Sequence, residues 1–194
     1  MVKIFLSASI PDPNRHKKYF GTADVVAIRD AVRALVTLVL PKGRLVWGGH
    51  PAITPLIRVI ANDLGITSKN RVRLFQSAFF RGKMPKDNAS FESLTIVPAV
   101  KADRDASLKI MREQMIGSER FSAGVFIGGM EGVEVEFDLF RQAHPQARLL
   151  PVASTGGAAL HIFNRAPAVF DPSLKDDYAY PSLFRRIIGG ELGS

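Results

Sequence analysis

Three segments carry residues suited to holding an anion: WGGHPAITP (47–55), FIGGMEGVEVEF (126–137) and ASTGGAAL (153–160). In each, an apolar run ends in glycines or small hydroxyls just where a helical pattern begins. Glycine at such a place lets backbone N–H groups approach an anion, and the following helix points its positive end at it. Ser7 and Ser9 end the first apolar run in the same manner and add hydroxyls for phosphate or ribose. The candidate binding residues are therefore Ser7, Ser9, Gly48, Gly49, His50, Gly128, Gly129, Gly132, Ser154, Thr155, Gly156 and Gly157. Turn chemistry also uses glycine there, and Ser154 and Thr155 also suit a helix cap.

Acid–base chemistry needs a carboxylate near that anion. On a helical wheel over 131–142, Val133, Phe137 and Phe140 form the apolar stripe, and Glu131, Glu134 and Asp138 fall opposite it. Glu136 lies at the stripe's edge, an unfavourable place for a carboxylate without a partner. It is the first candidate for reading ribose hydroxyls or acting on a glycosidic bond, and Glu134 is the second. Arg112 is the candidate phosphate clamp, because a guanidinium holds phosphate bidentately. Its alternatives are an ordinary surface role or pairing with Asp105 or Glu119. His50 can carry a proton near neutral pH or serve as a turn histidine. Trp47 alternates out of phase with the glycines and is expected in the core.

The elements that must position these residues alternate strand and helix. Apolar runs at 3–9, 44–49, 72–80, 93–100, 123–129 and 148–155 read as strands. Amphipathic spacing predicts helices over 25–39, 54–64, 106–116, 131–142, 156–164 and 180–190, with Asp24 or Thr22 capping the first. RGKMPKDNAS (81–90) reads as a polar loop. This order implies an α/β fold, a Rossmann-like, mostly parallel sheet with helices on both faces. The four small-residue strand ends are expected to converge on one cleft.

The chain has 194 residues and no cysteine, which excludes disulfides, thiol nucleophiles and cysteine-ligated metal. His16, His50, His144 and His161 lack metal-ligand spacing, so neither a metal nor a cofactor is expected. Residues 1–100 hold 15 Lys and Arg against 6 Asp and Glu, and residues 101–194 hold 11 against 12. The basic half suits an anionic partner. No run reaches the roughly 20 apolar residues of a membrane span, and the N-terminal apolar run is short for a signal peptide. A cytoplasmic location follows as the default.

KIFLSAS, LVWGGHPAIT, MREQM and IGGMEGVEVE together resemble the SMF/DprA–LOG (SLOG) superfamily of Rossmann-like nucleotide-binding domains. Its LOG branch of phosphoribohydrolases has a strand ending GSS, another ending GGGxxG, and RKxxM before PGGxGTxxE. In that branch an arginine precedes the first glycine of the last motif by sixteen residues, as Arg112 precedes Gly128 here. His50, Ile53 and Ile127 depart from the motifs, the motif threonine is absent, and Glu136 reaches the final glutamate position only with a one-residue slip. TGGAA after the last strand resembles stand-alone SLOG proteins of bacterial conflict systems. The likeness covers roughly 3–164 within a single domain over 1–194, with 165–194 as a C-terminal extension.

The resemblance implies a small nucleotide ligand, a nucleoside phosphate or an NAD or ADP-ribose derivative, that the chain senses or processes. The alternative is a phosphoribohydrolase or N-glycosidase with Glu136 and Arg112 as catalytic residues. A further alternative is single-stranded DNA binding, which lacks a stacking strip of aromatic and basic residues here. The apolar surface of the predicted helices and the pairing of LOG-like proteins imply a homodimer, and the small size implies a protein effector partner.

Overall fold

The computed structural model describes residues 1–193 apart from 16, 67–70, 85, 86, 89, 90 and 92. The polar loop predicted over 81–90 therefore lies partly outside the described residues, as does His16. Six strands form one sheet: β1 (Lys3–Ser9), β2 (Arg44–Trp47), β3 (Val72–Ser77), β4 (Ser93–Val97), β5 (Ala123–Gly128) and β6 (Arg148–Val152). Every neighbouring pair is parallel, in the order β4-β3-β2-β1-β5-β6. The fold is the α/β, Rossmann-like one expected.

The helices are α1 (Lys17–Phe20), α2 (Val25–Val39), α3 (Thr54–Asp63), α4 (Arg104–Ile116), α5 (Glu131–Ala143), α6 (Gly157–Arg165) and α7 (Tyr180–Leu192). From β1 the chain steps outward one way through β2, β3 and β4, then returns to β5 and steps the other way. Right-handed crossovers taken in opposite directions put their helices on opposite faces. Accordingly α2 packs with α3 and α7 in one layer, and α4 packs with α5, which also meets α6, in the other.

Local chemistry explains the boundaries. Asp24 caps α2 by accepting from the Ala27 N–H, and Asp103 caps α4 through the Ala106 N–H. The second cap starts α4 two residues before the predicted start. β5 is buried at every position, as a strand covered on both faces must be. Against it α5 lays Phe137 and Phe140, and Phe140 stacks on Phe5 of β1 with centroids 5.1 Å apart. Trp47 lies in the core at 1% exposure.

Every strand after β1 ends earlier than its apolar run, and two of these stops have a local cause. β3 stops at Ser77, whose hydroxyl accepts from the Phe79 N–H and turns Ala78–Lys83 into a 3-10 helix. β6 stops at Val152, and Ala153–Thr155 forms a 3-10 turn. The extension after residue 164 returns to the sheet's helical layer, where α7 lies against α2.

Candidate functional site

Beyond the carboxyl ends of β1, β2 and β3 opens a cleft of about 810 Å³, walled by α4 and the first turns of α5. It lies at β1, where the strand order reverses, the usual ligand position in such sheets. Among the described residues its lining carries five cationic side chains, Arg15, Lys83, Arg104, Lys109 and Arg112, against three carboxylates, Asp105, Glu131 and Glu136. The cleft thus has an excess of positive charge.

Its centre is a chain of three side chains from three elements. Ser7 ends β1 and donates through Oγ to Glu136 Oε2 at 2.6 Å. Arg112 of α4 donates through Nε to Glu136 Oε1 at 3.2 Å. Both charged side chains are mostly buried, 16% and 14% exposed. The carboxylate at the edge of α5's apolar stripe is therefore partnered on both oxygens. Arg112 uses only Nε in this contact, and its terminal nitrogens have no partner among the described residues. Nη2 sits over Gly132: a Cβ there would lie 2.9 Å from it. Any larger residue at 132 would displace the guanidinium.

The start of α5 adds donors. Met130 is its N-cap and gives no side-chain cap. The Val133 N–H turns back to the Met130 carbonyl at 2.9 Å. The N–H groups of Glu131 and Gly132 belong to the first turn, whose donors a helix leaves without internal acceptors. Both residues line the cleft.

Ser9, Gly48, Gly49 and His50 complete this side of the lining. The His50 carbonyl accepts from the N–H groups of Ile53 and Thr54, which starts α3. Its Nδ1 accepts from the Ala52 N–H at 3.2 Å, so its proton sits on Nε2. Burial pushes the imidazole below its ordinary range. The unfolded chain then takes up the proton first as pH falls. Stability from this group is present above about 6.5, the ordinary value, and is lost below it. Between pH 7 and 5 the urea midpoint of the parent is expected to fall more steeply than that of His50→Gln. Equal slopes would refute the assignment.

The remaining predicted residues lie elsewhere. Glu134 faces away from the cleft. It takes a hydrogen bond from Tyr19 Oη at 3.2 Å, pairs with Arg165 and lies 3.5 Å from His161 Nδ1. Arg165 also pairs with Asp138, and Arg15 with Glu131, so the acidic face of α5 is bound to cations. Asp105 pairs with Arg104, and Glu119 gathers Lys3, Arg44 and Arg73, which leaves Arg112 to Glu136.

The β6 turn is not brought to the cleft. Thr155 Oγ1 donates to the Val152 carbonyl at 2.6 Å and accepts the Gly128 N–H at 2.9 Å. Ser154 Oγ meets Tyr180 Oη at 3.1 Å, the Gly157 N–H goes to Thr22 Oγ1, and the Ala158 N–H to the Gly129 carbonyl. Of the four strand ends expected to converge, β1 and β2 open on the cleft, β5 reaches it through Met130–Val133 just beyond the strand, and the β6 turn does not, while β3 joins them. Gly128 and Gly129 form the turn behind the site, and Ser154, Thr155, Gly156 and Gly157 lock β6 to β5 and α2. The hydroxyl–carboxylate pairing of Ser7 with Glu136 was invisible in the sequence, where the two stand 129 residues apart.

A family model described as the SLOG cluster3 family matches residues 18–188. Among solved structures, the X-ray structure of TM1055 is 14% identical, with a TM-score of 0.46 over 84% of this chain and 81% of that one. No curated protein matches the chain. Among the described residues, no helix is long and apolar enough to cross a membrane.

Proposed function

The chain belongs to the SLOG cluster3 family, and from that premise we propose that it binds a small nucleotide-type ligand in the cleft. The ligand is a nucleoside phosphate or an NAD- or ADP-ribose-type derivative. The observation that carries this reading is the Ser7–Glu136–Arg112 chain inside a cleft with excess positive charge. The free nitrogens of Arg112 and the first-turn N–H groups of α5 suit a phosphate. Glu136, with Ser7 and Ser9 beside it, suits the hydroxyls of the attached ribose, since a carboxylate accepts hydrogen bonds from them.

The test is thermal unfolding against a panel of nucleoside monophosphates, NAD and ADP-ribose, with inorganic phosphate as control. A ligand that binds only the folded chain, at about a hundred times its Kd, adds about 2.7 kcal/mol. That raises the midpoint by about 5–10 °C for a chain of this size. No rise with any nucleotide would overturn the reading.

The fixed orientation of Glu136 favours processing as a second reading. In hydrolysis of the N-glycosidic bond, water adds to the anomeric carbon as the C–N bond breaks; the Glu136 carboxylate can take the proton from that water, and the base leaves with the bonding pair and takes up a proton. Released base, lost in Glu136→Gln while nucleotide binding persists, would establish turnover. Binding without release leaves the chain a sensor.

A further inference from the structure

A second depression of about 1050 Å³ runs between α2 and α7, in the helical layer away from α4 and α5. It shares no lining residue with the cleft. One wall carries Arg33 of α2 and the other Arg185 of α7, both exposed. Neither arginine has an ion pair or hydrogen bond among the described residues. Other arginines of the second half do find partners: Arg148 pairs with Glu191, Arg165 with Glu134 and Arg186 with Asp177. Asp30 also lines the groove and pairs with neither arginine. Lys42 closes one end, where Nζ donates to the Gly193 carbonyl. Among the described residues the groove thus has three cations against one carboxylate.

Its remaining surface is apolar and aromatic. Leu38 and Ala34 of α2 face Leu192 and Pro181 of α7, and Tyr178 stands at the rim, 59% exposed. Gly189 and Gly190 lie in the last turn of α7, and glycine is the weakest helix former after proline. Packing within the chain does not require Gly190, because a Cβ there meets nothing within 4 Å. A Cβ at Gly189 touches only Arg185, at 3.4 Å. Their effect is to leave the backbone of α7 bare along the groove.

We propose that the α2–α7 groove binds a small amphipathic anion: an aromatic or aliphatic body along Leu38, Leu192 and Tyr178, with its acidic group between Arg33 and Arg185. Charge complementarity selects the occupant. Two unpaired guanidinia facing one depression favour a carboxylate, sulfonate or phosphate. A two-fold contact through this face with a second copy would set its excess of cations against itself. The proposal does not depend on what the cleft binds.

The probe is anilinonaphthalene sulfonate, followed by fluorescence on the folded full chain. Saturable binding is expected. Arg33→Ala and Arg185→Ala should each weaken it on the order of 10-fold, the value of one charge-assisted contact. The uncharged parent, N-phenyl-1-naphthylamine, should bind more weakly than the sulfonate. Gly190→Leu adds a side chain to the groove lining where a Cβ meets no atom within 4 Å, and it should abolish binding while leaving the thermal midpoint unchanged or higher. Arg112→Ala should leave dye binding intact. The proposal is overturned if the arginine variants or Gly190→Leu bind dye like the parent, or if Arg112→Ala removes the signal. It is also overturned if the chain binds anionic phosphatidylglycerol vesicles through Arg33 and Arg185 but not the soluble dye.

Discussion

Arg112→Ala is expected to weaken nucleotide binding on the order of 10-fold or more, because it removes a charge-assisted contact to the phosphate. It also leaves the Glu136 carboxylate in the cleft without its counter-charge, facing the incoming anion. These two effects can be separated. Arg112→Lys keeps the charge but cannot hold Glu136 and a phosphate with one planar fork, so it should recover only part of the loss. The double variant Arg112→Ala, Glu136→Gln removes the repulsion as well as the clamp. Affinity regained in the double variant measures the neutralising role, and the deficit that persists measures the clamp. Isothermal titration with the nucleotide found in the thermal panel reads all three. If Arg112→Ala binds as tightly as the parent, Arg112 is a structural partner of Glu136 and not a phosphate ligand.

The same pair shows how far the sequence reaches. Glu136 was legible because a carboxylate at the border of the Val133, Phe137 and Phe140 stripe needs a partner. The helical period alone sets that constraint, and the observed α5 obeys it. The strand–helix order was equally legible: α2 occupies the residues 25–39 that its three- and four-residue spacing marks out, and β1 the residues 3–9 of its apolar run. The one-turn helix Lys17–Phe20 was not legible, since four residues give no period to detect. Nor was the end of β3, where Phe79 and Phe80 prolong the apolar run while the Ser77 hydroxyl bends the backbone out of the sheet. Which side of a strand end a glycine serves depends on strand order, a long-range property. IGG ends β5, beside β1, whereas STGG follows the edge strand β6, whose turn meets the start of α2. The two strings are alike in composition and differ in what packs against them.

That difference sets the second large effect. Gly156→Ala is expected to destabilise the fold rather than alter a ligand contact. Gly156 has φ +68° and ψ −156°, a region that residues with a Cβ occupy only under strain. Its Cβ would lie 1.8 Å from the Thr22 carbonyl oxygen, so the backbone before α2 has to move. That backbone is tied down: the Asp24 N–H donates to the Thr155 carbonyl at 3.2 Å and the Gly157 N–H to Thr22 Oγ1 at 3.1 Å. Strain of about 1–3 kcal/mol from the dihedral angles alone, with the clash added, gives an expected loss of about 3 kcal/mol or more. For a chain of this length the thermal midpoint should fall by roughly 6–12 °C. Thr155→Val is the milder companion. It keeps the shape but leaves the buried Gly128 N–H without an acceptor, a cost of about 1–3 kcal/mol. Urea unfolding of both variants, beside nucleotide titration of the fraction that remains folded, separates the two roles of this turn. Lowered midpoints with unchanged affinity fit a turn that locks β6 to β5 and α2. Parent-like stability with lost affinity would return Thr155 and Gly156 to the binding site.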